Sequence, residues 1–97
     1  MSGFRLLFHP AIRRDLRKLP KQTAIYLVQE VFPAIAEDPF RGVRLSGELK
    51  DLWKVVAHHG GVSYRIVYEP DTRARTIFVL SVGARGGFYE RLRRRVG

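Results

Sequence analysis

Apolar and polar residues alternate through two successive stretches in the middle of the chain, and this pattern predicts a pair of β-strands. Residues 52–59 and 62–68 are rich in β-branched and aromatic side chains, which favour strands. Between them lies His59-Gly60-Gly61, where two adjacent glycines permit a tight reversal of the chain. We therefore predict a hairpin, around which the rest of the chain is organised.

The alternation also predicts which side chains share a face within each strand. One face of the first strand holds Leu52, Lys54, Val56 and His58, and one face of the second holds Ser63, Arg65 and Val67. Each strand thus carries one cation, Lys54 or Arg65, that must reach solvent, an anion or a partner, because burying an unpaired charge costs free energy. The pattern is typical of the solvated face of an antiparallel sheet. A phosphate-binding face is the alternative.

The N-terminal half predicts a strand followed by two helices. Residues 4–8 alternate loosely and end at His9-Pro10, which predicts a short strand. Apolar residues at helical spacing predict one helix over residues 10–19 and a second over residues 21–38. Pro33 falls inside the second apolar stripe, so we predict a kink or break near Val31-Phe32. Two such helices suit an αα-hairpin that covers one face of a sheet.

The C-terminal half predicts a third strand of the run and a short helix. Residues 40–50 form a connection, and Glu69-Pro70-Asp71-Thr72 predicts a turn. Residues 76–82 are nearly all apolar, as in a central strand that is buried on both faces. Residues 88–96 predict a short basic helix. The order β-α-α-β-β-β-α predicts a small single α+β domain over residues 1–97, with a mainly antiparallel sheet.

Charge changes this picture, because the chain carries a formal net charge of +9 and a pI near 10.9. Arginine outnumbers lysine by 14 to 4, and the planar guanidinium suits phosphate. A basic domain of this kind is typical of nucleic-acid binding. Arginine bias from a GC-rich genome and binding to an acidic protein remain alternatives.

Several kinds of site are excluded by what the sequence lacks. There is no cysteine, which excludes disulfides and thiolate metal sites. His58 and His59 are adjacent on a strand and point to opposite faces, so we expect no metal site and no cofactor. No apolar run approaches the ~20 residues of a membrane-spanning helix, and the N-terminus lacks the pattern of a secretory signal. We expect a cytoplasmic protein without membrane contact.

The remaining candidates for chemistry are cationic and aromatic: Lys54, Tyr64, Arg65, Arg85, Phe88 and Tyr89. Cations hold phosphates and aromatic rings stack on unpaired bases, so this set is suited to RNA. It is also suited to stabilising a phosphoryl-transfer transition state without a metal. The alternatives are core packing of Tyr89 beside Phe88, and a salt bridge or helix-capping role for Arg85.

Four stretches resemble the RelE/ParE superfamily of bacterial type II toxins, and the resemblance runs from Phe4 to about Arg91. These are residues 15–20, residues 37–39, residues 52–55 leading to 63–68, and residues 77–85 followed by Phe88-Tyr89. The strand Tyr-Arg-Ile-Val-Tyr and the segment Val-Gly-Ala-Arg are its most specific parts. The predicted order of elements matches the fold of that superfamily.

The RelE branch of this superfamily cleaves mRNA in the ribosomal A site without a metal, through attack of a ribose 2′-OH on the neighbouring phosphate. By this resemblance the catalytic residues are Lys54, Arg65, Arg85 and Tyr89. Tyr64, Phe88 and Arg91 are expected to contact RNA. Many RelE-type toxins carry a second lysine two residues after the first, where this chain has Val56.

The resemblance also implies a partner and an alternative activity. We expect an acidic antitoxin with a helical segment, bound in a hetero-oligomer that covers the basic surface. The ParE branch has the same fold and inhibits DNA gyrase. Inhibition of gyrase, or a basic binding module without catalysis, is therefore the alternative to mRNA cleavage.

Overall fold

A computed structural model describes residues 3–84 and 88–96. Five strands form one sheet in the order β1-β5-β4-β3-β2. The strands are β1 (Arg5–Phe8), β2 (Val43–Arg44), β3 (Trp53–His59), β4 (Val62–Asp71) and β5 (Thr76–Gly83). The helices are α1 (Ile12–Arg17), α2 (Lys21–Tyr26), α3 (Phe32–Glu37) and α4 (Phe88–Val96). The predicted α+β fold is confirmed, and only β1 is parallel to its neighbour, β5.

The predicted hairpin is β3 and β4, and its turn explains the two glycines. Pairing runs from Trp53 opposite Tyr68 to His59 opposite Val62. Gly60 and Gly61 have φ values of 60° and 79°. Positive φ at both central residues is the geometry of a type I′ turn, which matches the twist of the flanking strands.

The second predicted helix is interrupted where the proline pattern indicated. A π-helical turn over Leu27–Val31 joins α2 to α3. The backbone N–H of Phe32 donates to the carbonyl of Leu27, five residues earlier. Pro33 has no N–H to continue the α-helical ladder, so the chain widens by one residue just before it.

Two apolar clusters lie on opposite faces of the sheet. The larger packs α1, the π-helical turn and α3 against the strands, and its buried members are Ile12, Leu27, Val31, Phe32, Ile35, Ala57, Ile66, Tyr68, Ile77, Val79 and Val82. The smaller packs α4 on the other face through Leu49, Leu52, Val67, Leu80, Phe88 and Leu92. Helix α4 therefore covers part of the face that carries Lys54 and Arg65.

Two details differ from the sequence prediction. The turn predicted at residues 69–72 lies at residues 72–75, because β4 continues through Asp71. The carboxylate of Asp71 accepts hydrogen bonds from the backbone N–H groups of Arg73 and Ala74, both at 3.0 Å, and so fixes the turn beyond it. Strand β2 was not predicted. It has two residues, too few for a period to be visible.

One ion pair fixes α4 to the sheet and to α1. Arg95 donates to Asp15 at 2.7 Å. Strand β1 pairs with β5 only as far as Val79. Beyond that point, the carboxylate of Asp15 accepts from the N–H of Val82 at 3.1 Å, and Arg95 donates to the carbonyl of Leu80 at 2.9 Å. These two side chains therefore supply hydrogen bonds to the backbone groups of β5 at its edge, where β1 has ended.

Candidate active site

Lys54 and Arg65 project from the same face of the hairpin. Lys54 lies opposite Val67, and Arg65 lies opposite Val56. In an antiparallel pair, opposed residues share a face, so the register brings both cations to one surface. Both are half-buried rather than freely solvated, because α4 packs on this face. The simpler interpretation of the sequence, in which Lys54 and Arg65 lie on a fully solvated face, is therefore wrong.

The guanidinium of Arg65 is the least satisfied polar group of this surface. Within residues 3–84 and 88–96, its Nε and Nη1 have no hydrogen-bond partner and no contact with solvent. Leaving a buried donor unpaired costs about 1–3 kcal/mol, and more for a charged group. A guanidinium presents its donors as a fork that fits a phosphate. Arg65 is thus suited to receive an anion.

Tyr89 reaches Lys54 from the first turn of α4. The Nζ of Lys54 donates to the Tyr89 hydroxyl at 3.3 Å and lies 5.9 Å from the ring centroid. The Tyr89 ring packs edge-on against Phe88, with centroids 5.2 Å apart. The ring of Tyr89 therefore joins the smaller apolar cluster, while its hydroxyl faces the Lys54 ammonium.

Arg91 lies close to the C-terminal end of β5, next to the position of Arg65. Gly83 is the β5 partner of Arg65. A Cβ at Gly83 would lie 3.5 Å from the Nη2 of Arg91 and 3.4 Å from the Phe88 ring. The side chain of Arg91 therefore reaches the end of β5 that borders Arg65, and both distances are ordinary van der Waals contacts.

Two residues expected to contact RNA are placed in the core instead. Tyr64 is 4% exposed and lies opposite Ala57, on the face away from Lys54 and Arg65. Phe88 is 2% exposed within the smaller apolar cluster. Neither ring is available to stack on a base, because Tyr64 lies on the other face of the sheet and Phe88 is buried between α4 and the sheet. Arg85, the second predicted arginine, lies outside the described residues.

A further polar pair on the same face was not assigned a role from the sequence. The Nδ1 of His58 lies 2.9 Å from the Oγ of Ser63, directly across the hairpin. The period of two had placed His58 on the face of Lys54. Among the described residues, no three His, Asp or Glu side chains come together as a metal site would require. Over the same residues, no helix has the length and apolar character to cross a membrane.

Comparison with known proteins agrees with this architecture. The family model described as the ParE-like toxin of type II bacterial toxin–antitoxin systems matches residues 6–93. Toxin RelG of Mycobacterium tuberculosis is 33% identical over 85 residues, which cover 87% of this chain and 93% of that toxin.

Solved structures of toxin–antitoxin complexes have the same fold. A chain of the complex RelBE2 from Mycobacterium tuberculosis gives a TM-score of 0.75 at 31% identity, covering 88% of this chain and 94% of that one. A chain of the intact E. coli RelBE complex gives a TM-score of 0.69 at 26% identity, and the match covers 87% of this chain and 99% of that one. The sequence resemblance is thus confirmed over nearly the whole domain, and the chain belongs to the ParE-like toxin family of type II bacterial toxin–antitoxin systems.

Proposed function

We propose that this toxin is a ribosome-dependent mRNA endoribonuclease that stops translation. The observation that carries the proposal is the guanidinium of Arg65, whose buried Nε and Nη1 have no partner among the described residues. It lies on the same sheet face as the Lys54–Tyr89 pair. A scissile phosphate would supply the acceptor oxygens that Arg65 lacks once the side chain turns its Nε and Nη1, which have no contact with solvent here, toward the surface.

The proposed chemistry is attack of a ribose 2′-OH on the adjacent phosphate, which leaves a 2′,3′-cyclic phosphate and a 5′-OH end. Arg65 and Lys54 would stabilise the extra negative charge of the phosphorane, the role that fixed cationic donors have in transition states of this kind. Tyr89, whose hydroxyl lies 3.3 Å from the Nζ of Lys54, would contact the reacting nucleotide. We keep Arg85 as a second phosphate-binding arginine and Arg91 as an RNA contact.

We propose further that an acidic antitoxin neutralises the protein. The solved relatives include the RelBE toxin–antitoxin complexes from Mycobacterium tuberculosis and E. coli. A net charge of +9 favours an acidic partner, and we expect a helical antitoxin segment in a hetero-oligomer. Action on translating ribosomes would take place in the cytoplasm.

Cleavage of a defined mRNA tests the proposal. Primer extension on the mRNA is run in a purified translation reaction, with and without the toxin, and the new ends are analysed chemically. The expected result is new 5′-OH ends at A-site codons, with a 2′,3′-cyclic phosphate on the upstream fragment. If no new ends form while ribosomes translate and the toxin is folded, the proposal fails.

Pulse labelling after induced expression separates this activity from that of the gyrase-inhibiting branch. A fall in protein synthesis that precedes any change in DNA synthesis agrees with mRNA cleavage. Arrest of DNA synthesis with filamentation, while translation continues, would instead support inhibition of gyrase.

A further inference from the structure

The polar side chains of the hairpin lie in three successive rows across one sheet face. The rows are Lys54 with Val67, Val56 with Arg65, and His58 with Ser63. Alternate residues of a strand are separated by about 6.5–7 Å, so each row lies about that far from the next. Arg65 is in the middle row, the Lys54–Tyr89 pair is on one side of it, and the His58–Ser63 pair is on the other.

The imidazole of His58 is oriented by a hydrogen bond to the neighbouring strand. Its Nδ1 is 2.9 Å from the Oγ of Ser63, and its side chain is exposed. When the Nδ1–H donates to Ser63, the lone pair of Nε2 is directed away from the sheet and can accept a proton. The hydrogen bond to the neighbouring strand thus fixes the orientation of the ring, and the tautomer with its proton on Nδ1 is the one that can act as a base through Nε2.

Displacement at phosphorus places the attacking and leaving oxygens roughly in line on opposite sides of the phosphate. In the proposed complex, a phosphate on Arg65 has one of these oxygens on the side of the His58 row and the other on the side of the Lys54 row, where Tyr89 lies. At neutral pH an unprotonated imidazole is an effective base, whereas a protonated phenol can serve as an acid. The rows of Lys54 and His58 flank the row of Arg65, and an in-line displacement likewise has its base and its acid on opposite sides of the phosphate.

We propose that His58 is the general base of the cleavage reaction, an assignment that rests on the proposed function. The Nε2 of His58 takes the proton of the 2′-OH as the O2′–P bond forms. The P–O5′ bond breaks, and O5′ takes the proton of the Tyr89 hydroxyl. The imidazolium then loses its proton to water, and the Tyr89 phenolate, next to the Lys54 ammonium, regains one from water. No oxidation or metal ion takes part in this sequence.

Charged groups reach His58 from several elements. Lys54 and Arg65 lie on its own sheet face. Along the open edge of β3, His58 also borders a groove of about 610 Å³, whose charged lining includes Glu30, Asp38 and Arg41. The pH dependence of cleavage will therefore report His58 together with these neighbours.

His59 is a matched control in the adjacent position. It projects to the opposite face, where its Nδ1 lies 2.8 Å from the Oγ1 of Thr23 and its ring stacks on Tyr26 at 5.0 Å. Substitution of His59 removes the same chemical group from the same hairpin without changing the Arg65 face.

The experiment measures single-turnover mRNA cleavage on programmed ribosomes at saturating toxin, over a range of pH. The variants are His58→Ala, His58→Gln and His59→Ala, and thermal melting confirms that each is folded. We expect the His58 variants to cleave about 10²–10⁴-fold more slowly, with little change in binding to ribosomes. The fall in wild-type rate toward acid pH should disappear in His58→Ala, and added imidazole should restore part of its rate. His59→Ala should cleave near the wild-type rate and show no imidazole rescue.

Three results would overturn the assignment. Undiminished cleavage by folded His58→Ala and His58→Gln would exclude His58 from the reaction. Slow cleavage by both, with an unchanged pH profile and no imidazole rescue, would leave His58 only a structural role. Absence of cleavage by the wild-type toxin would overturn the proposed function itself, and this result is distinct from the other two.

Discussion

The Nζ of Lys54 on β3 donates a hydrogen bond to the hydroxyl of Tyr89 on α4 across 3.3 Å. This contact joins the sheet to the helix at the border of the surface that Arg65 faces. Because α4 also covers the smaller apolar cluster, the same helix completes the fold and supplies a side chain to the candidate site. Changes that loosen α4 should therefore affect both stability and activity, whereas changes at the Tyr89 hydroxyl should affect activity.

Tyr89→Phe removes the hydroxyl and keeps the ring that packs on Phe88. We expect the free energy of unfolding of this variant to lie within about 1 kcal/mol of that of the wild type, because only a partly exposed hydrogen bond is lost. Cleavage of ribosome-bound mRNA should fall by about 10²-fold or more, because the variant lacks the hydroxyl that we propose as the proton donor to O5′. Tyr26→Phe, which removes a hydroxyl on the other face of the sheet, is the control. Equal cleavage rates for the two variants would contradict the role of Tyr89.

Asp15→Ala should weaken the attachment of α4. The side chains of Asp15 and Arg95 are 10% and 13% exposed. Removal of the carboxylate leaves the guanidinium of Arg95 with the Leu80 carbonyl but without its anionic partner, and it removes the acceptor of the Val82 N–H. Breaking a buried ion pair in this way costs about 3–5 kcal/mol of unfolding free energy. Urea unfolding measures the change.

The control for Asp15→Ala is Asp51→Ala, because Asp51 is exposed. A double-mutant cycle with Arg95→Ala then isolates the pair itself. If Asp15→Ala unfolds at the same urea concentration as Asp51→Ala, the ion pair does not hold α4 in place.

Tyr68 should make stability depend on pH at the alkaline end. Its hydroxyl donates to the carbonyl of Pro39 at 2.6 Å, and burial, with the nearby carboxylate of Asp38, raises the pKa of Tyr68 from 10.0 to about 12. The folded state therefore keeps this proton where the unfolded state has released it. The stabilisation is complete below pH 10.0 and is lost as the pH rises through about 12.

A shift of this size corresponds to about 2–3 kcal/mol of unfolding free energy. Denaturant unfolding of wild type and Tyr68→Phe across that interval measures it, since the variant retains every other titrating group. The difference in unfolding free energy between the two proteins should shrink as the pH rises. A difference that stays constant would show that Tyr68 does not titrate in this way.

Local patterns in the sequence predicted most of the fold. The period of two over residues 52–68 placed Lys54 and Arg65 on their faces, and Gly60-Gly61 indicated the turn. Pro33 indicated the interruption of the second helix, although not its π-helical form. These features depend on a few neighbouring residues, which is why a single sequence carries them.

The tertiary features could not be predicted in this way. The ion pair of Asp15 with Arg95 joins residues 80 positions apart, and no local pattern relates them. The burial of Phe88 follows from the way α4 packs, which the helical spacing alone did not decide. The position of Tyr64 could have been predicted, because alternation along β4 already places it on the face of the sheet away from Arg65. The role proposed for His58 needed the register, which alone brings it opposite Ser63.

The cleavage rate of Arg65→Ala on programmed ribosomes, compared with that of Arg73→Ala, tests the central claim most directly. Both variants lose one guanidinium, but Arg73 is exposed in the turn after β4. We expect Arg65→Ala to cleave about 10²–10³-fold more slowly, the cost of removing one donor to a transition-state oxyanion, and Arg73→Ala to cleave near the wild-type rate. If folded Arg65→Ala cleaves as fast as Arg73→Ala, the unpartnered guanidinium is not the phosphate site and the account is wrong.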